Sequence, residues 1–305
     1  MTQKLTLRTS LLMAVAPLMW AGNAVVGRLV RDQISPVTFN FLRWVLTAAI
    51  LVFLAGWVLR AGSGLWAHWR RFALLGLLGM GCYNSLQYLA LQTSNPLNVT
   101  LVAASSPLWM LAVGALLFGA RVSRMQLVGA AFSMAGVGVV LGRGDWAQLL
   151  SLRLVPGDMY VLLATALWAV YTWLLSRPDE PQTIRQDWAG FVLAQVVFGL
   201  AWSGLFAGAE WALTDARLHW GWPLVAALVF VAVGPSILAY RCWNIGIQRA
   251  GPAVAGFFSN LTPLFAALIW ALLTGETPKL YHALAFLLIA GGIVVSSRQQ
   301  RQQRQ

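Results

Sequence analysis

Ten apolar runs, at residues 10–30, 37–59, 72–92, 97–118, 124–141, 157–176, 188–208, 222–245, 252–273 and 280–297, take up most of this chain and decide what solvent it can fold in. A helix needs about 20 apolar residues to cross the hydrocarbon layer, and ten such helices with short connections use nearly all of the 305 residues. The composition agrees, with 59% hydrophobic and 10% charged residues against about 45–50% apolar for an ordinary soluble domain. Because lipid offers backbone groups no hydrogen bonds, the expected fold class is all-α: a polytopic membrane protein of ten transmembrane helices. Lys4 and Arg8 ahead of the first run resemble a secretory signal, but the run is too long and further spans follow, so a retained first helix is expected.

The block from Asn95 to Val139 returns 156 positions later without a gap. Pro96, Pro107, Leu108, Ala115, Leu116, Leu117, Gly119, Gly136 and Val139 recur as Pro252, Pro263, Leu264, Ala271, Leu272, Leu273, Gly275, Gly292 and Val295. Glycine and proline punctuation kept in register marks an internal duplication. The chain is therefore read as two five-helix repeats, 1–150 and 151–305. Five is odd, so the second repeat enters the membrane in the opposite sense from the first. Two inverted halves can exchange conformations to give states open to either side, which is the logic of alternating access.

The net charge of +12 does not point to nucleic acid, because Lys and Arg stand singly or in pairs at the ends of apolar runs. Thirteen fall on one side of the predicted membrane, among them Arg60, Arg70, Arg71, Arg121, Arg124, Arg177, Arg185 and Arg249; six fall on the other, Arg28, Arg31, Arg143, Arg153, Arg217 and Lys279. The positive-inside rule then places both termini of this multi-pass protein in the cytoplasm.

Polar and aromatic residues form stripes inside the spans. Asn84, Gln87 and Tyr88 on the third span map in the same register onto Tyr240, Trp243 and Asn244 on the eighth, and both triads have i, i+3, i+4 spacing, which keeps them on one helical face. Trp20 and Asn23 on the first span are matched at a shift of 148 by Trp168 and Tyr171 on the sixth, with Thr172 next on the face. Any one of these residues is explained equally well by interhelical hydrogen bonding or packing. Stripes on four symmetry-related helices instead favour convergence on a central cavity with flat apolar walls and amide donors and acceptors, suited to small amphipathic metabolites.

All nine carboxylates sit in loops or at span ends, and there is no Walker motif or metal-ligand spacing among His68, His219 and His282. Primary pumping and membrane catalysis are disfavoured, and no cofactor or metal is expected. Cys82 and Cys242 lie in apolar runs as small hydrophobes. Arg43 and Arg241 are the two cations inside spans. Arg43, about 9 Å from its helix end at 1.5 Å per residue, can snorkel, meet a substrate carboxylate or bind helix-end carbonyls, with a gating or structural role favoured. Arg241 points away from the Tyr240 stripe toward the cytoplasmic interface. Pro107 and Pro263 stand mid-span in equivalent helices, either as static kinks or as a paired hinge. Gly76, Gly79, Gly81, Gly129, Gly136 and Gly138 permit close helix contact.

The string Trp20-Ala21-Gly22-Asn23, the Ser35-Pro36 turn with Phe41-Leu42-Arg43-Trp44, and the doubled Pro107 block ending in Gly119 or Gly275 resemble the EamA-like permeases of the drug/metabolite transporter superfamily along essentially the whole chain. Gly275-Glu276 matches a Gly-Glu pair typical of that family, whereas Gly119-Ala120 departs from it. The aromatic-rich sequence looks most like the family's aromatic amino acid exporters. The resemblance implies ten helices in two inverted repeats and efflux of amino acids or related metabolites across the inner membrane.

The resulting expectation is a secondary transporter or facilitator for aromatic and other neutral amino acids, with Trp20, Tyr88, Trp168, Tyr171 and Trp243 as apolar walls and Asn23, Asn84, Gln87, Tyr240 and Asn244 as polar contacts. Its partners are the lipid bilayer and a small-molecule substrate; two halves in one chain let a monomer build the pathway. Amphipathic drugs, nucleosides or sugars are the alternative cargo. A membrane enzyme on lipid-linked substrates would need an acid/base pair at one membrane face, and no such spacing is present. Uniport and proton-coupled antiport both stay open.

Overall fold

The computed structural model describes residues 6–298 except 91–92, 95, 146, 148–154, 276 and 278, and leaves out the side chains of 88, 96–98, 101 and 298. Its helices are α1 (Leu7–Leu29), α2 (Pro36–Ala55, continued by a 3-10 turn to Leu59), α3 (69–90), α4 (Pro96–Ala103 with Ser106–Phe118), α5 (Arg124–Leu141), α6 (Pro156–Ser176), α7 (Trp188–Leu213), α8 (Trp222–Ala250), α9 (Pro252–Ser259 with Leu261–Thr274) and α10 (Leu280–Arg298). All but α3 and α4 are long and apolar enough to cross a membrane. The polar Asn84, Ser85 and Gln87 set α3 apart, and a break at 104–105 divides α4.

Helix boundaries follow local chemistry. Proline stands in the first turn of α2, α6, α8 and the first segment of α9, where its missing N–H costs nothing. Ser123 and Gln126 close a capping box on α5. Gly119 and Gly275 end α4 and α9 at φ 66° and 74°, a left-handed conformation that glycine adopts without strain. Outward surfaces are apolar, as a lipid solvent requires: Phe53, Leu116 and Leu272 are 91%, 82% and 73% exposed.

Features recur 156 residues apart. α3 carries a π-helical segment at Leu77–Cys82 and α8 one at Ala232–Leu238. α4 breaks at 104–105 and α9 at Asn260. The packing is also exchanged between halves: α1 lies against α8 and α9, α6 against α3 and α4, while α2 pairs with α7 and α5 with α10. In the last pair a Cβ on Gly129 would lie 2.7 Å from the Gly292 carbonyl, and one on Gly136 would lie 2.9 Å from the Ala285 carbonyl. Small residues thus let these two backbones touch.

Each π segment displaces backbone carbonyls from their regular partners, and side chains take them up. In α3, Tyr240 donates to the Gly79 carbonyl and Asn40 to Met80. In α8, where Pro235 lacks an N–H, Ser236 donates to Val231 and Trp20 to the Pro235 carbonyl. Gly79 and Pro235 are equivalent positions.

The connections separate into two faces. Between α1 and α2, Ser35 N–H donates to the Arg217 carbonyl and accepts, through its hydroxyl, from Arg217 N–H, tying that turn to the α7–α8 connection. At the other face Arg71, opening α3, reaches the end of α6.

Candidate functional site

Trp20 of α1, Trp168 and Tyr171 of α6, and Tyr240 and Trp243 of α8 converge at the centre of the bundle, as their helical stripes predicted of their directions. Trp168 is the hub. Its ring centroid lies 5.3 Å from Trp20, 4.9 Å from Tyr171 and 5.8 Å from Trp243. Trp20 meets Trp243 at 5.1 Å, and Tyr171 and Tyr240 stand 6.3 Å apart. Tyr83 of α3, 4.8 Å from Trp168, and Trp44 of α2, 5.3 Å from Tyr240, complete the cluster. Edge-on and tilted geometry of this kind contributes about 0.5–1.5 kcal/mol per pair beyond burial.

The rings are packed on each other, with Trp243 and Tyr171 wholly buried. Together they form a packed aromatic plug among α1, α2, α3, α6 and α8. Polar atoms lie around the plug without partners among the described residues: the Trp243 indole nitrogen, both amide atoms of Asn244, Thr172 Oγ1 and Ser85 Oγ. A buried donor or acceptor left unmade costs about 1–3 kcal/mol, so such a group marks a place that water or a solute can fill.

The other predicted amides are engaged differently. Asn23 accepts from Arg43 Nη1 at 3.3 Å, and the Arg43 guanidinium lies 4.7 Å over the Trp44 ring, so this 2% exposed cation binds α1 to α2. Gln87 donates to the Tyr83 hydroxyl at 3.0 Å, and Asn84 is buried. The side chain of Tyr88 and all of Glu276 lie outside the described residues. Pro107 and Pro263 do not bend continuous helices; each follows the break in its helix, in the first turn of the segment beyond.

Sequence reasoning missed Trp44, Tyr83, Asn40 and Gln195. Gln195 is buried mid-α7 and accepts from the Tyr171 hydroxyl at 2.8 Å. Asn40 accepts from the Trp44 indole at 3.1 Å while donating to α3. Tyr83 stands four residues before Gln87, so extending that stripe by one turn would have found it, whereas Trp44 and Asn40 lie on α2, which carried no predicted stripe. Gln195 offers no such signal, being a single amide in an apolar run.

A cavity of about 360 Å³ opens at the face where α6 ends and α7 begins, and Asn244 is the predicted site residue that lines it, with Trp188, Phe191 and Arg241. Beside it, buried Glu180 receives Arg71 at 3.3 Å and Arg185 at closer range. The same two guanidiniums also donate to the last carbonyls of α6, at Leu174, Arg177 and Leu175. A second cavity, between α9 and α10, is mostly apolar and lies against Leu264, Phe265 and Phe286. No group of three His, Cys, Asp or Glu side chains able to hold a metal ion occurs among the described residues.

An all-helical, multi-pass membrane protein with a buried aromatic cluster among its helices is the class that this fold and site define. The chain belongs to the EamA-like transporter family, whose sequence pattern matches residues 7–142 and again 155–298. It is 24% identical over 295 residues to an uncharacterized transporter of Archaeoglobus fulgidus, covering 97% of this chain and 99% of that one. It is 27% identical over 240 residues to the aromatic amino acid exporter YddG of Ancylobacter novellus, covering 79% and 78%, and 27% identical over 225 residues to the inner membrane transporter YedA of Escherichia coli K12, covering 73% and 69%. A solved crystal structure superposes with a TM-score of 0.74 at 23% identity, covering 98% of this chain and 99% of its own, which establishes the fold alone.

Proposed function

We propose that this membrane transporter exports amino acids, aromatic and other neutral ones among them, by alternating access between two inverted five-helix repeats, 1–150 and 151–305, that make ten crossings with both termini cytoplasmic. The observation that carries the reading is the plug itself: Trp20, Trp168 and Trp243 pack in mutual contact with unpartnered polar atoms beside them. A flat amphipathic solute can replace one ring contact with another and give those polar atoms partners as the plug parts. The paired breaks beside Pro107 and Pro263 supply the moving joints, and Arg43, fixed to Asn23 and Trp44, acts as a gating or structural tie. The name of the YddG relative supports the amino acid cargo. Flux of radiolabelled amino acids from liposomes holding the purified protein tests this; the reading fails if none moves while another solute crosses equally well through wild type and Trp168→Ala. Amphipathic drugs, nucleosides and sugars belong in the same panel. Repeating the flux with and without an imposed pH gradient separates uniport from antiport.

A further inference from the structure

The cavity at the α6–α7 face holds a set of groups that the central plug does not explain. Arg185 is taken up by Glu180 and the Leu175 carbonyl, so its charge is spoken for. Arg241, by contrast, pairs with no carboxylate among the described residues. Its guanidinium lies 4.5 Å from the Trp188 ring, a cation–π contact that holds the group at the cavity wall while leaving its N–H donors free. One turn further along the same helix, toward its C-terminal end, Asn244 also lines the cavity; it is 4% exposed and both its amide atoms lack partners. Phe191 and Ile245 add apolar wall. The volume of about 360 Å³ falls at the lower end of the roughly 300–1,000 Å³ that small ligands occupy.

We propose that this cavity is a loading site for a solute joining a carboxylate to a flat apolar body: the carboxylate on the Arg241 guanidinium, the body along Phe191 and Ile245, and an N–H or carbonyl group of the solute on the Asn244 amide. Among the lining cations Arg185 is neutralised by Glu180, and Asp187, between lining residues Gln186 and Trp188, is taken up by the Trp57 indole and the Ala189 N–H, so Arg241 is the charge left for an anionic group to meet. Asn244 adjoins Trp243 of the plug, so a solute held here is presented to the rings that must part for it. The site rests on the transport reading for its purpose, but not for its detection.

Binding to the purified, detergent-solubilised protein tests it directly, read as a shift in melting temperature against ligand concentration. Three indole probes separate the groups: L-tryptophan, indole-3-propionate without the ammonium, and tryptamine without the carboxylate. L-tryptophan and indole-3-propionate are expected to stabilise the protein and tryptamine is not; Arg241→Gln should weaken indole-3-propionate by about tenfold or more, with Arg241→Lys intermediate. Arg241 is exposed, so neither variant threatens folding. The site is overturned if no probe shifts the melt, if tryptamine matches indole-3-propionate, if Arg241→Gln binds like wild type, or if phosphatidylglycerol alone stabilises, which would assign the cavity to a lipid headgroup. Liposome flux keeps the two readings apart: binding without flux removes transport and leaves the site, whereas flux with unaltered binding in Arg241→Gln removes the site and leaves transport.

Discussion

The side-chain amide of Asn260 donates to the backbone carbonyl of Ala104 at 3.2 Å, joining two residues that hold the same place in the two halves of the chain. Each marks the break in its helix, α9 for one and α4 for the other, and the same amide also donates to Ser133 of α5 at 2.9 Å. The carbonyl left open by one break is thus closed by the break opposite. The bond ties the two breaks directly to each other.

Replacing Asn260 with leucine should therefore destabilise the protein by about 1–3 kcal/mol, because a buried carbonyl and a buried hydroxyl lose their donor. A melting curve in detergent checks it. An unchanged midpoint would mean that the breaks are held by packing and not by this bond.

Trp168→Ala removes the hub of the aromatic plug. A large-to-small change at so buried a ring typically costs about 3–5 kcal/mol, and the opening it leaves should admit solutes that the intact plug excludes. Liposome leak of a small uncharged tracer should rise; a tight vesicle with normal melting would show that the rings are not the barrier.

Two glycines, one at the α5–α10 contact and one on the open side of α1, are expected to respond in opposite ways to a larger side chain. A Cβ at Gly292 would lie 2.6 Å from the Gly129 carbonyl, so Gly292→Val should drive the helices apart and sharply reduce the yield of folded protein. A Cβ at Gly27 of α1 meets nothing within 4 Å, so Gly27→Ala should be neutral or stabilising by up to about 1 kcal/mol. Monodisperse yield on size-exclusion chromatography ranks the two.

Glu180→Gln leaves the Arg71 and Arg185 guanidiniums facing each other without their carboxylate. Breaking a buried pair in this way costs about 3–5 kcal/mol, and it loosens the end of α6 that both arginines hold through its carbonyls. Midpoints for Glu180→Gln and Glu180→Asp, with the latter expected to recover part of the loss, measure how much of the effect is charge.

The direction of the plug residues was legible in the sequence because i, i+3, i+4 spacing survives in any helix that stays helical. Trp20, Trp168, Tyr171, Tyr240 and Trp243 met as their stripes implied, while Asn23 is bonded to Arg43 of α2 and Gln87 to Tyr83 one turn away on its own helix. What their meeting would look like was not legible: the rings pack against one another at contact distance, and Asn244 lines the cavity at the α6–α7 face. Side-chain volume is local, but whether it leaves a gap depends on how closely two backbones approach. Gly79 shows the difference, since a Cβ there would meet the Tyr171 ring at 2.7 Å.

The sequence by itself determined the solvent, the helical class, the positions of most spans and the equivalence of the halves, because apolar run length and glycine or proline register act over a single segment. Only the tertiary structure decided the π segments, the carbonyls they displace and the partners that claim them. Asn40, Trp20 and Tyr240 bond to helices 40 or more residues away, and backbone bonds given up within one helix are replaced only where another helix brings a donor to the same depth.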